Sequence, residues 1–350
     1  MPTATGRYVS AAIATFITAV FVSAVTTFGY IYIAGKSVNL NAIAETEQYE
    51  VLGATTESEV PLLVVESRES TGTALRFVDV EKYRQQLQKA DSGAEVVKVL
   101  ADFSKIYGFE ISYRIPTEMD DYLNGDESAE SDAAGLRAFG EVFVDEIGKY
   151  PTDFLRENGV DSVILLADPT VSDDRGIFPF GGLAVAEHQT LVLNYTDGQQ
   201  RLLGSVYYAD YLEPNTCKHS DTNIRKGIHH ELWHMFDAHN LRYRDKGWSD
   251  LNDDNFSYSQ PASFAGYEVG YHHCRIVDGN DFTTPYAKVE MLEDRADTFA
   301  YLMTTEIYQT HKVVLTGQSG ALPGKVKFIQ RLMAKWSTAF DAEYYDQINQ

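Results

Sequence analysis

The chain has 350 residues, with 51 Asp and Glu against 29 Lys and Arg, which gives a formal net charge of −22. This charge disfavours nucleic-acid binding, because phosphate contacts need clustered positive side chains. We interpret the acidic balance as a solvated exterior, which favours solubility and identifies no substrate.

An uncharged run occupies residues 8–35, between Arg7 and Lys36. It is long enough to cross a bilayer with some tilt, whereas a cleaved signal peptide has an apolar region of only about 7–15 residues. We therefore predict a transmembrane anchor within residues 1–36, with a cleaved signal peptide and secretion as the alternative. Because Arg7 favours a cytoplasmic amino terminus, the rest of the chain is predicted to lie outside the cytoplasm.

Residues 37–132 are predicted to form a stalk and a small region of helices and strands. Their periodicity predicts strands at Val60–Val65 and Phe109–Ile115 and helices at Val80–Gln88 and Glu95–Ile106. An acidic stretch with Gly and Ser at 124–132 is typical of a linker or surface loop. The remaining residues, 133–350, are enough for one catalytic domain with a single core.

The sequence Ile-His-His-Glu-Leu-Trp-His-Met-Phe-Asp at residues 228–237 contains an H-E-x-x-H motif formed by His230, Glu231 and His234. Apolar side chains repeat at three- and four-residue spacing over residues 223–238, which predicts an amphipathic helix. Positions four apart lie on one face of a helix, so two imidazoles can bind one metal ion with Glu231 beside it. The neighbouring His229 and His239 lie off this face and are interpreted as packing or surface residues.

The metal that this arrangement suits is Zn²⁺, which keeps a position for water and lowers the pKa of that water toward neutrality. Glu231 can then accept the proton of the water as it attacks a carbonyl. The chemistry that this motif serves best is the hydrolysis of peptide bonds.

A catalytic zinc needs a third protein ligand. The metzincin pattern would place a histidine at position 240, but the chain has Asn240 there. The other common ligand is a glutamate from a later helix, and residues 289–303 supply Glu293 and Asp297 four residues apart. We predict Glu293 as the third ligand and Asp297 as the acceptor of the distal N–H of His230. The alternatives for the third ligand are Glu290 and Asp294.

H-E-L-W-H followed by E-D-R-A-D-T-F-A resembles the gluzincin metallopeptidases, and most closely the anthrax lethal factor-like catalytic domain. The resemblance covers roughly residues 133–310 and implies an α+β, zincin-like fold with a strand, a Gly-rich segment at Gly181-Gly182 and a second strand. Asp297 departs from it, since lethal factor-like domains have Glu there and thermolysin-type gluzincins have Asp.

A tyrosine seven residues before the zinc-binding glutamate assists the transition state in lethal factor-like domains. The resemblance therefore implies that Tyr286 stabilises the oxyanion that forms as water attacks. The alternatives for this role are Tyr271, His272 and His273.

Two cysteines, Cys217 and Cys274, flank the H-E-x-x-H helix and lie 57 residues apart. An oxidising compartment would let them pair. The disulfide would enclose the metal-binding helix and stabilise the fold by about 4 kcal/mol on the chain-entropy model. The alternative is two unrelated buried thiols.

The sequence thus predicts a membrane-anchored zinc metallopeptidase that acts on peptide or protein substrates. One alternative is a non-peptidase zinc hydrolase of the cell envelope. The other is a catalytically silent binding protein with a structural zinc, which the intact Glu231 disfavours because a structural site has no need of a base.

Overall fold

The structure is a computed structural model with a mixed α+β fold in which helices predominate. It describes residues 20–23, 29–33, 36–37, 78–127, 131–173, 176–196, 220–241, 247–258, 276, 280–341 and 343–350. The helices are α1 Val80–Lys89, α2 Gly93–Tyr107, α3 Ala133–Ile147, α4 Phe154–Glu157, α5 Ser220–Phe236, α6 Met291–Met303, α7 Thr305–Leu315, α8 Leu322–Trp336 and α9 Tyr344–Ile348. The strands are β1 Val20–Ser23, β2 Gly29–Ile33, β3 Lys36–Ser37, β4 Glu110–Ser112, β5 Leu123–Asp126, β6 Ser162–Asp173, β7 Gly176–Pro179, β8 Gly182–Val185 and β9 Thr190–Asn194.

Strands β1, β2 and β3 form a small antiparallel sheet of their own. β1 and β2 lie within residues 8–35, so the structure has strands at positions where the sequence predicts a transmembrane helix. The rest of that run lies outside the described residues, as does the predicted strand Val60–Val65. Among the residues that are described, no helix is long and apolar enough to cross a membrane. The anchor and the location outside the cytoplasm stay predictions.

Helices α1 and α2 are found where the sequence predicts helices, and β4 is a shorter form of the strand predicted after them. α2 begins after Ser92, whose side chain accepts a hydrogen bond from the first turn, and ends at Gly108. Gly108 has φ of 76°, a left-handed conformation that glycine adopts without strain. Leu87 of α1 and Leu100 of α2 share one hydrophobic core with Trp233 of α5. The core therefore continues across residue 132, where the sequence predicts a domain boundary.

The main sheet has the order β4-β6-β9-β8, in which β4, β6 and β9 are parallel and β8 runs antiparallel to β9. The second half of β6 leaves this sheet and pairs with β5 and β7. Val163 and Leu165 of β6 face the helical core, whereas Ile164 and Leu166 join a smaller cluster on the opposite face. Both faces are covered, which accounts for the uninterrupted apolar run in the sequence of β6.

Helix α5, which carries the H-E-x-x-H motif, packs against strands β8 and β9 and against helices α3 and α6. The ring of Trp233 lies 4.9 Å from Phe299 of α6 and 5.6 Å from Trp336 of α8, measured between centroids. After Phe236 the chain continues as a π-helical turn, Asp237–Leu241. The predicted helix over residues 223–238 is therefore found, and its apolar side chains hold it between the sheet and α6.

Candidate metal centre

His230 and His234 lie one turn apart on α5, and both side chains are buried. Their ring centroids are 4.8 Å apart, and the two Nε2 atoms are separated by 3.2 Å. The four-residue spacing places both imidazoles on one face of the helix, as the sequence predicts. The two Nε2 atoms therefore point to a common position.

Glu293 reaches the same position from the first turn of α6. Its Oε2 atom lies 2.9 Å from Nε2 of His230 and 3.5 Å from Nε2 of His234. The alternative ligand Asp294 turns to another side of α6, where its Oδ2 atom pairs with Lys325 at 2.7 Å. The structure thus brings together the three side chains that the sequence predicts as ligands.

The spacing of these three atoms fits a tetrahedral ion. Ligand atoms about 2.0–2.1 Å from a tetrahedral Zn²⁺ lie about 3.3 Å from one another. The observed separations among His230, His234 and Glu293 are 2.9, 3.2 and 3.5 Å, on either side of that value. Within the described part of the chain, these residues form the group of His and acidic side chains that could hold a metal ion.

Asp297, one turn after Glu293, fixes the orientation of His230. Its Oδ1 atom lies 3.0 Å from Nδ1 of His230, so the Nδ1–H donates to the carboxylate and, in the neutral ring, Nε2 has the lone pair. The hydroxyl of Thr284 donates to the other oxygen of Asp297. Burial raises the pKa of Asp297, but the Lys226 ammonium and these hydrogen bonds outweigh burial and hold that pKa well below its ordinary value.

Glu293 and His230 each shift the pKa of the other. Burial raises the pKa of Glu293, but His234 and His230 outweigh it and lower that pKa to about 2, so the carboxylate is ionised at neutral pH. Burial lowers the pKa of His230, yet its bonds with Asp297 and Glu293 raise it to about 10. A neutral His230 turns an Nε2 lone pair toward an oxygen of Glu293, and such an approach needs a proton or a metal ion between the two atoms.

Glu231 is fully buried beside the two histidines and lies under strand β8. A β-carbon on Gly182 of β8 would stand 2.5 Å from Cγ and 3.1 Å from Cδ of Glu231. Since carbon atoms do not approach so closely, any side chain at position 182 would displace Glu231. The glycine of the predicted Gly-rich segment is therefore what lets the strand pass this close to the carboxylate.

Tyr286 is the first residue of a short 3₁₀ turn, Tyr286–Lys288, that leads into α6. Its buried ring lies 6.1 Å from the ring of His230, measured between centroids. Thr284, which donates to Asp297, also accepts a hydrogen bond from the backbone N–H of Ala287 at 3.1 Å. The same threonine thus connects the turn that carries Tyr286 with the residue that orients His230.

Several predicted residues cannot be compared with the structure, because they lie outside the described residues. They are Cys217 and Cys274, whose disulfide stays a prediction, and Tyr271, His272 and His273, the alternatives to Tyr286. The structure describes the two other histidines near the motif. The buried side chain of His229 points away from the centre, and its Nε2 atom lies 2.6 Å from Oε2 of Glu146. The side chain of His239 is exposed.

Sequence reasoning did not identify Lys226, Thr284 or the buried pair of Arg295 and Asp237, which are 3.1 Å apart. Arg295 and Asp237 connect α6 to the π-helical turn that follows α5. Lys226 could have been found from its spacing, since it precedes His230 by four residues and so shares its helix face. The other contacts join segments far apart in the sequence, for which local spacing gives no signal.

The chain was compared with family models, curated proteins and solved structures, and none of them matches it. The interpretation of the centre therefore depends on its own residues and their geometry. The resemblance to gluzincins remains one of two short motifs and a tyrosine.

Proposed function

We propose that this protein is a zinc-dependent metallopeptidase with a zincin-like fold. The observation that carries the proposal is the spacing of the ligand atoms of His230, His234 and Glu293, which suits a tetrahedral ion. Glu231, which directly follows the ligand His230, is buried, and its carboxylate could act as a base.

A Zn²⁺ ion held by the three residues would supply Lewis acidity, lowering the pKa of a water molecule and polarising the substrate carbonyl. The chain supplies the proton transfers: Glu231 accepts the proton of the attacking water and later delivers it to the leaving amine. Tyr286 donates its hydroxyl proton in a hydrogen bond to the oxyanion. Asp297 holds the ring of His230 with Nε2 toward the ligand group.

The presence of Glu231 also supports catalysis over a structural role. Structural zinc sites are closed by four protein ligands, whereas catalytic sites have three and leave a position for water. The candidate group among the described residues has three members, His230, His234 and Glu293. A structural site has no need of a base beside its ligands.

The proposal is tested by Glu231→Gln in the full-length protein, with zinc content and hydrolysis of a peptide library measured together. Because the amide cannot accept a proton, we expect hydrolysis to fall on the order of 10²- to 10⁴-fold while zinc is retained. Glu157→Gln makes the same chemical change at an exposed position on α4 and should leave both quantities unchanged.

Full activity of Glu231→Gln would exclude Glu231 as the base. A parallel digest of cell-envelope polymers separates a peptidase from another hydrolase, since polymer cleavage without peptide cleavage would contradict the proposed substrate class. Removal of zinc by a chelator should abolish peptide turnover, and re-addition of zinc should restore it. Zinc binding without any turnover would favour the binding-protein alternative.

A further inference from the structure

Lys226 is a buried lysine that is connected to the candidate metal centre through Asp297. It lies on α5 one turn before His230, and only 1% of its side chain is exposed. Its Nζ atom is 3.0 Å from Oδ1 of Asp297, the same oxygen that lies 3.0 Å from Nδ1 of His230. The ammonium and the imidazole N–H therefore converge on one carboxylate oxygen.

A buried ammonium costs several kcal/mol of desolvation unless it is paired with an opposite charge. Asp297 supplies that charge, and the ring of Tyr301 lies 5.7 Å from Nζ of Lys226. The second oxygen of Asp297 accepts from Thr284. Donors from α5 and from the segment before α6 thus fix both oxygens of one carboxylate, which leaves it a single orientation.

We infer that Lys226 is a positioning residue of the metal centre. It holds the carboxylate of Asp297 in the orientation that keeps Nε2 of His230 toward Glu293 and His234, where a zinc ion would bind. The inference depends on the proposed zinc site and adds to it a residue that does not contact the metal. Partners that orient a ligating histidine typically contribute about 10- to 100-fold to metal affinity.

The chain contains a matched control for this inference. Lys325 pairs with Asp294 at 2.7 Å, and both side chains are fully buried. Asp294 also lies on α6, but its Oδ2 atom accepts from Trp248 at 2.9 Å and Tyr258 at 2.8 Å. The two lysine–aspartate pairs are chemically alike, and Asp297 is the aspartate bonded to a candidate ligand.

The test compares the zinc affinities of the full-length protein, Lys226→Met and Lys325→Met by competition with a chromophoric chelator. Circular dichroism establishes a temperature at which all three are folded. We expect Lys226→Met to bind zinc about 10- to 100-fold more weakly. Lys325→Met should lower the free energy of unfolding but leave zinc affinity within about threefold of the native value. Equal losses in the two variants would overturn the inference, because they would indicate a general effect of losing a buried pair.

A double-mutant cycle distinguishes positioning through Asp297 from simple packing. If Lys226 acts through Asp297, adding Lys226→Met to Asp297→Asn should cause less than about a threefold further loss of zinc affinity. Independent, multiplicative losses would overturn the inference. This comparison also serves if Lys226→Met alone fails to fold, since the double variant removes both charges of the Lys226–Asp297 pair. Failure of the native chain to bind zinc would instead refute the proposed function.

Discussion

The substitution Glu293→Ala tests the third ligand. Oε2 of Glu293 is the atom of α6 that approaches both imidazoles, at 2.9 and 3.5 Å. Four-ligand zinc sites bind with about 10–16 kcal/mol near pH 7, or about 2.5–4 kcal/mol for each ligand. Since 1.4 kcal/mol corresponds to a factor of ten, we expect Glu293→Ala to weaken zinc binding about 10²- to 10³-fold.

The assay is chelator competition with zinc on the native protein and on three alanine variants. Glu290 and Asp294 are the acidic neighbours that the sequence leaves as alternative ligands, and Glu290→Ala and Asp294→Ala remove them one at a time. Because Asp294 faces Lys325, its loss should destabilise the fold but change zinc affinity by less than about threefold. Unchanged zinc affinity in Glu293→Ala, with a loss in either neighbour, would refute the ligand assignment.

Three further substitutions test other parts of the molecule. Tyr286→Phe should lower kcat about 10²-fold with unchanged zinc content, and an unchanged kcat would exclude the phenol from oxyanion stabilisation. Gly182→Ala should displace Glu231 and lower kcat while zinc affinity is kept; a fully active variant would show that the strand can move aside. Burial raises the pKa of Glu187 to about 7 from 4.5, so the folded state holds a proton that the unfolded state has lost and stability falls as pH rises through this range. Glu187→Gln should remove this fall and stabilise the protein by about 1–2 kcal/mol more at pH 8 than at pH 4.5, after allowance for solvent screening. Urea unfolding at both pH values measures the change in the free energy of unfolding. An equal change at pH 4.5 and pH 8 would contradict the raised pKa of Glu187.

The parts of the centre that could be predicted from the sequence are those set by spacing along one helix. His230 and His234 are four residues apart, and helical geometry places them on one face whatever surrounds the helix. The same holds for Glu293 and Asp297 on α6. The α+β class also followed from local patterns, since the apolar run of β6 and the periodicity of α5 each identify their own element.

Contacts between distant segments could not be predicted in this way. The passage of Gly182 over Glu231 depends on how β8 crosses α5, and nothing within either segment determines that crossing. Thr284 contacts Asp297 only because the chain folds back before α6. The strands β1 and β2 differ from the predicted helix because hydropathy and length, the basis of that prediction, do not separate a membrane helix from apolar strands.

The relative placement of α5 and α6 explains why Glu293 reaches both imidazoles and the next residue, Asp294, does not. Lys226 contacts Asp297, His230 contacts both Asp297 and Glu293, and His234 contacts Glu293. Residue numbers thus rise along α5 as they fall along α6, so the helices are antiparallel. Each acidic side chain lies between two basic positions that are four residues, or about 6 Å, apart along α5. Rotating α6 by one residue, about 100°, would replace Glu293 by Asp294 and would bury Lys226 without its partner. The cost of that unpaired charge favours the observed register, which is the one that groups the three candidate ligand atoms.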